Sequence, residues 1–323
     1  MAQIVVTGAG GFIGAALCPT LAAAGHRVIA GLRRPARHDA IFAAGIAPRV
    51  IGDIVPGRDW AHALCGADIV IHLAQQAHRR ADRRVLAAEP AAAATLAAAA
   101  ARQGVRRFLY LSSIKAMAEA TTPGRKLQAG DPPHPEDAYG RAKRASEEAL
   151  ARTAAETGID LVVIRTPLVY GPGVGGNFRA LARLAASGLP LPFASLTNRR
   201  SLIFVDNLAH LIAVAATHSA AAGQVLLAAD GAPLPLCDLI RILAAGQGRR
   251  ARLLAVPALV FALLRWLPGI GPAVARLTSP LEVDDAPTRA LLGWTPPHPA
   301  DAALRLTARA VAAAQAARKP AVA

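Results

Sequence analysis

The sequence predicts an α/β fold, a doubly wound parallel sheet with a smaller C-terminal lobe. Two observations carry this expectation. Short β-branched runs alternate with longer alanine-rich stretches through the first half of the chain, and strands separated by helical segments pair in parallel through right-handed crossovers. A glycine-rich turn also follows the first of these runs directly, at the carboxyl edge where such a sheet holds its ligands.

The strand-like runs cover residues 4–7, 27–30, 49–52, 68–73, 107–111 and 161–165. Four of them carry little polar character, as strands covered on both faces should. Helical stretches lie between them near 12–24, 84–102 and 139–157. The segment around Thr95 is almost all alanine, the best helix former, so it reads as helix rather than linker. Residues 166–198 are rich in glycine and proline, and loops are expected to dominate there. Residues 201–205 and 224–228 again read as strands around a helix at 206–218, and helices follow near 235–245, 257–267 and 299–317. The expected division is a sheet domain over 1–170, rejoined by 201–230, and a lobe from 171–200 and 231–300. A C-terminal helix and tail cover 301–323.

Composition bounds the function classes. At 323 residues, with 54% hydrophobic and 18% charged, the chain can bury a large core and is not disordered. Its three cysteines, Cys18, Cys65 and Cys237, form no CxxC pair and no His/Cys cluster at metal spacing, so a reducing compartment and no bound metal are expected. The formal charge of +15 invites a polyanionic partner. However, thirty-two arginines against four lysines, scattered among many alanines, read as a compositional background, and no nucleic-acid partner is expected. The chain enters a strand pattern at Gln3 without a basic leader, which suits a cytoplasmic protein. The most apolar stretch, 253–264, ends at Arg265, short of the ~20 residues a spanning helix needs. It is expected to be a core helix of the small lobe, with peripheral membrane contact as the alternative.

The first strand runs into Gly8-Ala9-Gly10-Gly11-Phe12-Ile13-Gly14, which opens a helix. Glycines at 8, 11 and 14 permit a tight turn, close backbone approach and close helix–strand packing, and the helix start favours a pyrophosphate. This is the dinucleotide-binding signature of a Rossmann fold. An NAD-binding fold usually offers a carboxylate to the ribose at the end of the second strand. Here that position holds Leu32-Arg33-Arg34. Two guanidiniums suit a 2′-phosphate, so NADP is the expected cofactor, with NAD as the alternative. Asp53, after the third strand, is placed either to accept from an adenine amino group or to cap a helix.

Tyr139-Gly140-Arg141-Ala142-Lys143 sets a phenol and an ammonium one helical turn apart on one face. Ser112-Ser113 follows the strand at 107–111, on the ligand-binding edge. A tyrosine works as acid or base near neutrality only when its pKa is brought down, and a neighbouring lysine is expected to do so. Ser113 can then hold the substrate oxygen while Tyr139 passes the proton. His72 reads as a structural residue ending a strand, and Glu147 and Glu148 as a solvated helix face.

With these residues in view, the chain resembles the extended short-chain dehydrogenase/reductase family of nucleotide-sugar enzymes over nearly its whole length. The resemblance rests on Thr7-Gly8, Gly11 and Gly14, Gly52-Asp53, His72-Leu73-Ala74, Ser112-Ser113 and Tyr139 with Lys143. It extends to Arg165-Thr166-Pro167-Leu168-Val169-Tyr170-Gly171-Pro172-Gly173 and Leu291-Leu292-Gly293-Trp294. Ser112-Ser113-Ile114-Lys115, Gly176-Asn177-Phe178 and Asn198-Arg199-Arg200-Ser201-Leu202 look like one branch. That branch comprises UDP-4-keto-6-deoxy-hexosamine reductases and UDP-sugar 4-epimerase-like proteins of bacterial surface-polysaccharide synthesis.

The resemblance implies that Ser113, Tyr139 and Lys143 are catalytic. It puts the cofactor against Gly8, Gly11, Phe12, Ile13, Gly14, Arg33, Arg34, Asp53, Ile54, Leu73, Ala74, Tyr139, Lys143 and Pro167. Ser113, Asn177 and Arg200 would bind substrate, the latter two at its diphosphate, and a homodimer would form through the helices near 84–102 and 139–157. The implied reaction is NADPH-dependent reduction at C4 of a nucleotide sugar. The alternatives are a UDP-sugar 4-epimerase with bound NAD, and a non-catalytic NADP-binding or assembly protein. Three positions depart from the family pattern: Ala91 stands for its asparagine, Ala94 for a glycine and Ala118 for another glycine. Gln75-Gln76 and the arginine-rich segment at 79–84 are also unusual.

Overall fold

A computed structural model of the protein describes residues 1–35, 45–74 and 83–317. Gln75, Gln76 and most of the arginine-rich 79–84 segment therefore lie outside the described residues.

Among these residues the central sheet has seven strands, all paired in parallel. They include β1 (Gln3–Thr7), β2 (Arg27–Leu32), β3 (Ile46–Val50), β4 (Ile69–His72), β5 (Arg107–Ser113) and β6 (Asp160–Thr166). A short strand, β7 (Leu168–Tyr170), leaves the sheet, and β8 (Pro190–Leu191), β9 (Arg199–Arg200) and β10 (Leu202–Phe204) also lie outside it; β11 (Val225–Leu227) completes it. The order β11-β6-β5-β4-β1-β2-β3 reverses direction between β1 and β4, and that reversal opens a crevice at the carboxyl ends of the strands. Small pairs β12 (Leu234–Pro235) with β9 and β13 (Arg252–Leu253) with β8 stitch the C-terminal segments together.

The helices are α1 (Phe12–Ala23), α2 (Ala61–Leu64), α3 (Arg83–Arg102), α4 (Ala138–Thr157), α5 (Gly176–Ala185) and α6 (Val205–Thr217). They continue with α7 (Leu236–Ala245), α8 (Ala258–Leu264), α9 (Gly271–Thr278), α10 (Ala286–Leu292) and α11 (Ala300–Ala316). One face of the sheet is covered by Leu17 and Leu21 of α1 and Leu208, Leu211 and Ile212 of α6. The other is covered by Leu64 of α2, Leu96 and Ala100 of α3 and Leu150 of α4. A second core joins α5, α7 and α11 through Phe178, Leu239, Leu243, Leu304 and Val311. Ile203, Leu208, Leu226 and Ala228 pack in the first core.

Strand ends differ from the sequence reading by a few residues. The larger correction is α5, which lies in the stretch expected to be loop. The glycines and prolines of that stretch cluster at its two ends and leave a run of helix-forming Ala, Leu and Arg between. Phe178, Ala182 and Ala185 then share one face and are buried in the second core.

Candidate active site

Every element that meets at the crevice is brought there by local geometry. Gly8 ends β1 with a φ of +75°, and a Cβ on it would lie 2.8 Å from the Ala74 nitrogen just beyond β4. Only glycine fits at this contact between the two strands flanking the reversal. At Gly14 a Cβ would lie 2.5 Å from the Gly8 oxygen and 2.6 Å from Ala9, so α1 packs directly on the loop. The N-terminus of α1 has no side-chain cap and no acidic residue in its first turn, and its free N–H groups and positive dipole end suit an anionic ligand. The residues present therefore fit a dinucleotide pyrophosphate. Phe12 and Ile13 lean from the same turn onto the second core.

Around this loop, Leu73 and Ala74 are half-buried, and Pro167 is buried just after β6. Arg33 and Arg34 are exposed where the chain leaves β2, Ile54 is half-buried, and Asp53 lies 3.8 Å from Arg33 as an exposed ion pair. Asp53 thus faces the β2 exit; it caps no helix, because α2 begins beyond it at Ala61.

On the other side of the crevice, β5 ends at Ser113 and a single helical turn, residues 114–116, follows. The start of α4 lies against this turn. A Cβ on Gly140 would come within 2.3 Å of the Lys115 carbonyl, so glycine is what lets helix and turn touch. Asp137 locks the contact. It accepts from the Gly140 nitrogen at 2.6 Å and from Lys115 Nζ at 2.6 Å, and Lys115 also reaches Glu119 at 3.0 Å. The result brings Ser113 close to Tyr139, where the serine hydroxyl by itself would lower the tyrosine pKa.

Lys143, one turn along α4, is fully buried with Nζ 5.4 Å from the Tyr139 ring centre. Here the structure departs from the expected electrostatics. Lys143 donates to Glu89 Oε1 at 2.6 Å and to the Tyr110 hydroxyl at 3.3 Å, and Tyr110 donates to the same Glu89 oxygen at 3.2 Å. Burial lowers the lysine to about 8 despite the opposing pull of Glu89. Burial, and Glu89 next, raise Tyr139 above its ordinary value. The ammonium expected to bring the phenol down is occupied by a carboxylate.

Glu89 was missed in the sequence. Its one signal is isolation, since no other carboxylate stands between Asp82 and Glu119. Ala91, the position of the family asparagine, is exposed on α3; Glu89, two residues earlier, is the one that turns inward.

Other sequence expectations fare differently. His72 is buried at the end of β4, 2.7 Å from the Thr7 hydroxyl and stacked on Tyr110, and burial lowers its pKa to about 3. Glu147 is not on a solvated face. It accepts from Arg165 at 3.0 and 2.7 Å and from the Ser112 hydroxyl at 2.5 Å, because its side of α4 turns toward β5 and β6. Glu148 is exposed and pairs with Arg144 at 2.8 Å. Asn177 is exposed in the first turn of α5. Arg200 is spent inside the protein, donating to the carbonyls of Arg276 and Ser279 at 2.6 and 2.8 Å. Among the described residues, no group of three or more His, Cys, Asp or Glu is placed to hold a metal, and no helix is long and apolar enough to cross a membrane.

Known proteins bear on this site. The model of the NAD dependent epimerase/dehydratase family matches residues 4–228. A UDP-glucose 4-epimerase of Vibrio cholerae is 36% identical over 318 residues, covering 95% of each chain. A 2-alkyl-3-oxoalkanoate reductase of Stenotrophomonas maltophilia is 30% identical over 253 residues, 76% of each chain. Among solved structures, a UDP-glucuronic acid 4-epimerase from Bacillus cereus in complex with NAD superposes with a TM-score of 0.76 at 20% identity, covering 96% of this chain and 98% of that one. A sheet reversing at a glycine loop, with Ser113, Tyr139 and Lys143 gathered beside it, places the chain in the NAD dependent epimerase/dehydratase family, to which it belongs. It is accordingly an NAD(P)-dependent enzyme, and the two relatives above are an epimerase and a reductase.

Proposed function

We propose that the chain is an NADPH-dependent reductase acting at C4 of a UDP-4-keto-6-deoxy-hexosamine, in the synthesis of a surface polysaccharide. The observation that carries the choice of cofactor is the exit of β2. Arg33 and Arg34 are both exposed there, and the nearby Asp53 already faces Arg33. Two guanidiniums favour a 2′-phosphate, and a reductase draws NADPH from the pool whereas an epimerase keeps its NAD.

Gly8, Gly11, Phe12, Ile13 and Gly14 would hold the pyrophosphate, and Arg33, Arg34, Asp53 and Ile54 the adenosine end. Leu73, Ala74 and Pro167 would flank the nicotinamide. When bound, that ring supplies hydride for the 4-keto carbon. Ser113 holds the sugar oxygen and Tyr139 delivers the proton to it. An ammonium has three donors; Glu89 and Tyr110 take two of those on Lys143. The third has no partner among the described residues and is free for the ribose. Asn177 and Arg200 would meet the diphosphate, and Arg200 must first release the two carbonyls it caps. We place the enzyme in the cytoplasm as a homodimer paired through α3 and α4; its described cysteines are all free thiols.

A second reading, UDP-sugar 4-epimerase with bound NAD, is favoured by the name of the 36% relative. One assay separates the two. Stoichiometric NADPH oxidation with a UDP-4-keto-6-deoxy-hexosamine supports the reductase. Interconversion of UDP-glucose and UDP-galactose without added nucleotide establishes the epimerase instead. Equal KM values for NADPH and NADH, unchanged by Arg33→Ala with Arg34→Ala, would remove the arginine argument.

A further inference from the structure

The charge of the chain is not spread evenly. From Leu239 to Leu281 there is no carboxylate and there are six arginines. The same stretch holds the largest group of exposed apolar side chains. On α8, Phe261 turns inward, is buried and lies 6.2 Å from the Phe193 ring, while Leu259 and Leu263 are 69% and 63% exposed. In the turn that follows, Trp266 is 88% exposed, and Leu267 and Ile270 beside it are about half exposed. Arg249, Arg250 and Arg252 are exposed on the approach to α8, and Arg265 ends it.

This hairpin is fixed to the body. β13 pairs with β8, Phe261 is buried in the second core, and Arg265 joins α8 to the end of α9 by donating to the Thr278 hydroxyl at 2.6 Å. The apolar side chains other than Phe261 are thus displayed on the surface, although α8 was expected to be a core helix. Leucines with a tryptophan, in a stretch of chain that carries arginines and no carboxylate, match the polarity of a bilayer whose headgroups are anionic. A patch facing protein would gain little from the exposed Arg249, Arg250 and Arg252 unless its partner were strongly acidic.

We propose that the α8–α9 hairpin docks the enzyme on an anionic membrane surface, with Leu259, Leu263 and Trp266 entering the interface and Arg249, Arg250 and Arg252 meeting lipid phosphates. The helix lies on the surface, being too short to span it.

Tryptophan fluorescence of the full chain tests this, because Trp60 and Trp294 are buried and Trp266 alone is exposed among the described residues. Vesicles of equal parts phosphatidylcholine and phosphatidylglycerol should shift the emission to the blue and sediment the protein, and salt should weaken both. Vesicles of phosphatidylcholine alone should bind it at least roughly tenfold more weakly. Leu263→Glu should reduce sedimentation with the anionic vesicles at least about tenfold, and Trp266→Ser, at the most exposed position, should reduce it without altering the melting temperature. No binding to either vesicle overturns the proposal. So does binding that both variants leave intact, which would mean attraction by charge elsewhere. A dimer that Leu263→Glu splits in gel filtration would show instead that the patch faces a second copy.

Discussion

Two buried ion pairs lie one turn apart along the inner face of α4, and they are built for different ends. At one, Lys143 meets Glu89 at 2.6 Å; at the next, Glu147 meets Arg165 at 2.7 Å. The Glu147 pair is closed. Arginine grips both carboxylate oxygens, Ser112 donates to one of them, and a remaining guanidinium nitrogen reaches the Ala129 carbonyl at 3.2 Å. Arginine keeps its charge throughout the accessible pH range, so this pair ties α4 to β6 permanently. The Lys143 pair is open, with a donor to spare and a pKa of about 8. Lysine can give up its proton near that value, which arginine cannot. Burial of like chemistry thus yields a clamp in one place and an adjustable site in the other.

The sharpest way to break this contrast is to remove the phenol. Tyr139→Phe should cost about a thousandfold in kcat while leaving the melting temperature and nucleotide binding near wild type. Activity within a few-fold of wild type would end the mechanism. Next comes the clamp: Arg165→Met leaves the buried Glu147 with its longer contact to Arg144, at 3.6 Å, and should cost about 3 kcal/mol in denaturant unfolding.

Glu89→Gln should do the reverse, losing activity roughly tenfold to hundredfold at a smaller cost in stability, since Lys143 can shed its charge. Without Glu89 both Lys143 and Tyr139 have lower pKa values. The alkaline limb of the kcat/KM profile should therefore move to lower pH, and an unmoved limb would make Glu89 merely structural.

His72 sharpens the comparison through pH. The unfolded imidazole takes up a proton below about 6.5, whereas the buried one resists down to about 3. The unfolded state binds more protons in that window, so stability falls as pH drops through it, by roughly 1.4 kcal/mol per pH unit. Unfolding free energies of wild type and His72→Gln, measured across that range, should fall more steeply in wild type by about that amount. The smallest effect belongs to Glu148→Ala, which breaks an exposed pair with Arg144 and should change stability by no more than about 0.5 kcal/mol.

Much of this was legible in the chain. Strand and helix order, the glycine loop and the Ser113, Tyr139 and Lys143 constellation follow from local periodicity and short spacings, because alternating apolar runs and turn glycines act over a few residues. Gly140 and Asp137 could not be read that way; their roles exist only because α4 touches the turn after β5. The same holds for α5, whose helix is stabilised by a face that only the second core supplies. It holds for Arg200 too, an expected phosphate ligand whose guanidinium caps α9.

By itself, then, the sequence determined which elements form and which chemical groups arrive at the carboxyl edge of the sheet, since these depend on neighbours a few residues apart. Only the tertiary structure decided which charges meet. Glu89 and Lys143 are separated by 54 positions, and nothing local distinguishes an adjustable carboxylate from a clamped or a solvated one. Burial sets that difference, and burial is a property of the packed molecule.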